Sequence, residues 1–73
     1  MNVSMRHEDV NGHSISGAVK LDIETGEFSA DVLRVGGKVN SSWSLPPRRA
    51  TRAEIAAKMN AEFDDEVAFA LAH

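Results

Sequence analysis

The stretch Ile15-Ser16-Gly17-Ala18-Val19-Lys20-Leu21-Asp22-Ile23 decides the fold class. Ile15, Gly17, Val19, Leu21 and Ile23 fall on one side, while Ser16, Ala18, Lys20 and Asp22 fall on the other. That period of two marks a strand with one buried and one wet face. Two later runs repeat it. Phe28, Ala30 and Val32 alternate with Ser29 and Asp31, and Val39, Ser41, Trp43 and Leu45 alternate with Lys38, Asn40, Ser42 and Ser44.

The turns set the register, because a slip of one residue sends a whole apolar set to the wrong face. A turn centred on Thr25-Gly26 pairs Ile23 with Phe28, Leu21 with Ala30 and Val19 with Val32. A two-residue Gly36-Gly37 turn pairs Val39 with Arg34, Ser41 with Val32, Trp43 with Ala30 and Leu45 with Phe28. The first nine residues are polar, and a three-residue Val10-Asn11-Gly12 loop places His7 opposite Ile15, Met5 opposite Gly17 and Val3 opposite Val19. A two-residue Asn11-Gly12 turn would set Glu8 against Ile15, so the longer loop is expected. Leu45-Pro46-Pro47 should end the last strand, since proline cannot donate to a ladder.

Beyond the prolines the period changes. Thr51-Arg52-Ala53-Glu54 is a capping box, and a helix is expected from about Arg52 to Ala72. Ile55, Ala56, Met59, Phe63, Val67, Ala70 and Leu71 form a stripe that would cover the sheet. Asn60 with Asp64-Asp65 offers an alternative break into two short helices. The expected architecture is α+β: a four-stranded antiparallel β-meander over residues 1–45 with one C-terminal helix, 51–72, on one face, all in a single domain.

Composition bounds what such a fold can do. The chain has 73 residues, 42% of them apolar, 26% charged, no cysteine and a net charge of −3. These are ordinary globular shares. No apolar run approaches the ~20 residues of a spanning helix, and no secretory signal is visible. A cytoplasmic protein is therefore expected, with neither a disulfide framework nor a thiolate metal site.

No catalytic motif is present: the chain has no phosphate loop, nucleophile elbow or His-Glu-x-x-His helix. His7, Glu8, Asp9 and His13 match no metal-ligand spacing, and the consecutive Asp64, Asp65 and Glu66 point apart on a helix. The reading is a non-enzyme without cofactor or metal.

The helix charges are segregated. Arg48, Arg49, Arg52 and Lys58 come first, and Glu62, Asp64, Asp65 and Glu66 follow, against the preference of the macrodipole. Phe69 lies beside the acids and away from the apolar stripe. Glu62, Asp64, Asp65, Glu66 and Phe69 are therefore the expected partner-binding residues, meeting the basic surface of a protein target with Phe69 as anchor. Arg48, Arg49 and Arg52 are the candidate nucleic-acid or phosphate contacts.

Thr51-Arg52-Ala53-Glu54-Ile55-Ala56-Ala57-Lys58-Met59-Asn60 resembles the first helix and turn of a helix-turn-helix. A following recognition helix, however, would carry four acids and no base, which phosphates repel. The leading expectation is a small acidic protein–protein interaction module, an inhibitor or regulator. In size, charge and architecture it resembles phage and mobile-element inhibitors, such as anti-CRISPR and anti-restriction proteins, and antitoxins; no motif is shared. The alternatives are a nucleic-acid-binding regulator using the arginines, and a homodimer associating through edge strands or Phe69. Leu33 and Val35, on the sheet's outer face, are a further docking surface.

Overall fold

A computed structural model describes residues 1–38 and 40–73. Four strands, β1 (Asn2–Val10), β2 (His13–Leu21), β3 (Phe28–Val35) and β4 (Ser41–Arg48), form one antiparallel sheet in the order β1-β2-β3-β4. One helix, α1 (Arg52–Ala72), packs on one face of it. This is the α+β meander that the alternation predicts.

Thr51 caps α1, accepting from the Glu54 amide at 3.2 Å. Its own hydroxyl donates to Glu54 Oε1, so the box closes through side chains rather than through the Thr51 amide. The helix runs unbroken through Asn60 and Asp64, which excludes both the two-helix alternative and the helix-turn-helix turn.

Ile55, Met59, Phe63 and Ala70 enter the core against Ile15, Val19, Ala30 and Val32. Trp43, Leu45, Ala56 and Val67 pack at its margin. Leu71, expected on the stripe, is 69% exposed, because it turns about 100° away from the buried Ala70 and out of the contact with the sheet. Among the described residues, no helix is long and apolar enough to cross a membrane.

The period of two is right in every strand but the first, and the turns are not as expected. Between β2 and β3 a six-residue loop replaces the two-residue turn. Asp22 Oδ1 accepts from the amides of Glu24 (2.9 Å) and Thr25 (3.3 Å), and the Asp22 amide donates to the Glu27 carbonyl at 2.9 Å. This local capture draws Ile23 out of the strand and leaves it 72% exposed. The pairs become Leu21 with Phe28, Val19 with Ala30 and Gly17 with Val32.

Between β3 and β4 the loop is also longer, with the Gly36 amide donating to Asn40 Oδ1. The pairs are Ala30 with Leu45, Val32 with Trp43 and Arg34 with Ser41. The expected Val39–Arg34 pair falls on a residue outside the described ones. Both shifts are of two residues, so every side chain keeps its face. β4 continues through Pro46 and Pro47 to Arg48, which an edge strand with an irregularity opposite Phe28 and Ala30 tolerates.

The β1–β2 hairpin is the real correction. Asn11 (φ 53°) and Gly12 (φ 84°) both take positive φ, forming the two-residue turn whose twist matches the strands. Val10 pairs with His13, Glu8 with Ile15 and Arg6 with Gly17. Arg6 and Glu8 therefore lie on the helix side rather than facing outward. A bulge between Asn2 and Ser4 then lets Val3 pack against the core. The change of phase also sets the histidines on different faces: His7 is exposed on the outer side and His13 is buried beneath the helix end.

Candidate functional site: the acidic half of the helix

Successive helical residues turn by about 100°, so the consecutive acids fan out to three different environments. Asp64 leans toward β1, where Arg6 Nη1 reaches its Oδ1 at 3.2 Å and Asn60 Oδ1 at 2.8 Å. The Arg6 guanidinium also lies 4.1 Å from the centre of the Phe63 ring. Its stem and charge are thus both used, which explains how a strand that faces the core can carry an arginine there.

Glu66 turns the opposite way, toward β3 and β4. It forms an ion pair with Arg34 Nε, and Ser41 Oγ donates to its Oε1 at 2.9 Å. The Arg34 side chain is 4% exposed and that of Glu66 19%, so this pair belongs to the interior. Arg34 lies over the Phe69 ring at 3.9 Å, and His73 stacks on the same ring at 4.2 Å. His13 meets Phe69 edge-on at 6.3 Å, with its Nδ1 3.5 Å from Arg34 Nη1. Asn11 Nδ2 donates to the Ala70 carbonyl at 3.1 Å, tying the first hairpin to the helix end.

Of the five expected partner-binding residues, then, Glu66 and Phe69 are engaged inside the molecule. Asp64 is paired at its base but its side chain is 67% exposed. Asp65 points to solvent and Glu62 is half-buried, and neither has an ion-pair partner among the described residues. Around them the outward surface of α1 is small: Ala53, Ala57, Ala61, Ala68 and Ala72 are all exposed, with Leu71 the large apolar side chain.

Arg34, not among the expected site residues, organises this end of the fold, and its place in the strand signals that role. It continues the Phe28, Ala30, Val32 phase of β3, so it had to face the helix and needed an acid there. Arg6 could not be found in this way, because its strand was assigned the wrong phase.

The arginine cluster sits at the opposite end. Arg48 closes β4, Arg49 follows it and Arg52 opens α1 beside the positive end of the helix dipole. All three are exposed, and among the described residues none makes an ion pair or side-chain hydrogen bond. Lys58 likewise has no ion pair among the described residues, so it closes no i, i+4 contact with Glu54 or Glu62.

On the sheet's outer face, His7 Nδ1 lies 2.9 Å from Ser16 Oγ and its Nε2 3.2 Å from Asp9 Oδ1. Lys20 bonds Asp31 at 2.8 Å, and this hydrogen bond is the main cause holding the Asp31 carboxyl below its ordinary value. Ser44 adds to the effect and partial burial opposes it. Leu33 and Val35 are 47% and 43% exposed on this face, as their phase requires. Among the described residues, no group of three or more His, Cys, Asp or Glu is arranged to hold a metal ion.

The fold and this surface define a small α+β domain: a β-meander covered by one helix whose second half carries the acids. No known protein family, characterised protein or solved structure matches the chain.

Proposed function

We propose that this protein is a small protein-binding module, an inhibitor or regulator of its partner, that docks through the solvent side of α1. The observation that carries the reading is the pairing of unneutralised acids with a low surface. Glu62 and Asp65 keep their charge free of any described base, and the exposed alanines beside them let a partner approach the helix closely at little entropic cost. Asp64 supplies a third carboxylate already oriented by Arg6. Leu71, 69% exposed and on one helical face with Asp64, offers an apolar contact at that flank. Glu66 and Phe69 take part as the fixed frame that holds the helix against β3. The partner is then a basic surface, such as a nucleic-acid-binding protein presents, and the charges set orientation and encounter rate.

Affinity capture with immobilised protein tests the reading. Glu62→Lys/Asp65→Lys changes two groups without internal ion pairs, so the fold should survive while partner capture is lost. A partner retained by this folded variant would refute the proposal.

The exposed Arg48, Arg49 and Arg52 favour a second reading, a nucleic-acid contact at the start of the helix. Duplex DNA should then bind with steep salt dependence, and binding should be lost in Arg48→Ala/Arg49→Ala.

A further inference from the structure

The two edges of the sheet are not equally protected. β4 carries Pro46 and Pro47 and an irregular register opposite Phe28, devices that keep other strands from adding to an edge. β1 has none of these over Ser4 to Val10, where its pairing with β2 is regular and no proline or glycine intervenes. Because a two-residue turn joins them, Val10 and His13 form a hydrogen-bonded pair. Alternation then turns the amides and carbonyls of Glu8 and Arg6 toward β2, and those of Met5, His7 and Asp9 toward the open edge.

From this geometry we propose that β1 is a homodimerisation edge, pairing antiparallel with β1 of a second copy about a two-fold axis at His7. The charges select the occupant and the register. An axis at His7 sets Arg6 of each copy opposite Glu8 of the other, giving two cross-strand ion pairs, with Met5 opposite Asp9. Moving the axis to Arg6 would place arginine against arginine, and moving it to Glu8 would place glutamate against glutamate, both unfavourable. Arg6 is already held by Asn60, Asp64 and the Phe63 ring with 37% of its side chain exposed, so little freedom is lost in meeting a second carboxylate. Glu8 is exposed and has no ion-pair partner among the described residues. The edge-facing groups of Met5, His7 and Asp9 then form backbone hydrogen bonds across the axis, and the sheet becomes continuous through both copies with the helices on one side. This edge meets the proposed docking side of α1 only at the Arg6–Asp64 contact and uses neither Glu62 nor Asp65, so its test is distinct from that of the function proposed above.

Sedimentation equilibrium over a wide concentration range reads the association directly. The full chain should dimerise reversibly and more weakly as salt rises. His7→Pro removes an edge-facing amide and two exposed side-chain contacts but no ladder bond to β2, so it should leave the circular dichroism and melting curve near those of the parent and abolish the dimer. Glu8→Arg should raise the dimer Kd about tenfold or more.

Register is read by cross-linking, which is clean in a chain without cysteine. His7→Cys sits on the axis with a Cα separation of about 5.5 Å and should oxidise to a covalent dimer. Met5→Cys faces Asp9 of the other copy and should not. A full chain that stays monomeric at millimolar concentration, or a dimer unchanged by both His7→Pro and Glu8→Arg, would overturn the proposal.

Discussion

Arg34 on β3 and Glu66 on α1 form an ion pair that is buried on one side and nearly so on the other, joining sheet to helix at the end remote from the helix cap. A charge taken out of water is tolerated only while its counter-charge and hydrogen bonds are in place. Here Ser41 supplies the second contact to the carboxylate and Phe69 covers the guanidinium. The pair converts the most polar turn of the helix into part of the interior, which is why Phe69 is drawn inward.

Breaking this pair on one side should be expensive. Glu66→Ala removes the carboxylate that faces the buried Arg34 and should destabilise the fold by about 3 kcal/mol, whereas Arg34→Met/Glu66→Leu should recover most of that loss. Urea denaturation of the three proteins makes the comparison. Equal losses in the single and double variants would mean that the pair is not the source of the effect.

Two glycines sit where a methyl group has no room, and the atoms they would strike differ. A Cβ on Gly36 would come within 2.7 Å of the Gly12 carbonyl oxygen and of His13 Cα, both backbone. On Gly17 it would meet the Met59 sulfur at 2.6 Å, within a side chain that can adjust. Gly17→Ala should cost about 1–3 kcal/mol and Gly36→Ala more, as read from the two melting temperatures.

Asn11 serves both the turn and the helix end. Asn11→Gly keeps the positive φ and loses only the bond to Ala70, a cost of about 1 kcal/mol. Asn11→Ala adds the left-handed strain of roughly 1–2 kcal/mol and should be the less stable of the two. Thermal unfolding that ranks Ala above Gly would contradict the turn assignment.

The Asp31–Lys20 pair gives a pH signature of definite sign. The Asp31 carboxyl titrates below its ordinary value of 3.8 in the folded protein, so its contribution is complete above that value and disappears as pH falls through the folded one. Both side chains are nearly half exposed, which keeps the effect small. Lys20→Gln should bring the Asp31 titration, followed by carboxyl carbon shifts, back toward 3.8. An unchanged titration would remove Lys20 as the cause.

Much of this architecture is legible along the chain, and the reasons are local. Alternation about Val19, Val32 and Trp43 shows which side of β2, β3 and β4 is buried, and the capping box at Thr51 marks the start of a helix that runs to Ala72. Parity survives errors in loop length, because displacements of two residues in both later hairpins leave every side chain on its own face. Loop lengths were not legible. They depend on side-chain captures such as Asp22 with Glu24 and Thr25, and of Asn40 with Gly36, which compete with the ladder by small margins.

The candidate surface divides in the same way. That the helix has a basic first half and an acidic second half follows from the order of residues alone. Which acids remain free does not, since Asp64 and Glu66 are two residues apart yet reach arginines on opposite sides of the helix. The phase of β1 was likewise decided by tertiary structure. Polar Arg6 and Glu8 give no hydrophobic signal, and Arg6 gains its place on the helix side only where the Phe63 ring, Asn60 and Asp64 meet it. Local periodicity determines where apolar side chains go, whereas charged side chains go where the assembled fold supplies a counter-charge and a surface to lie on.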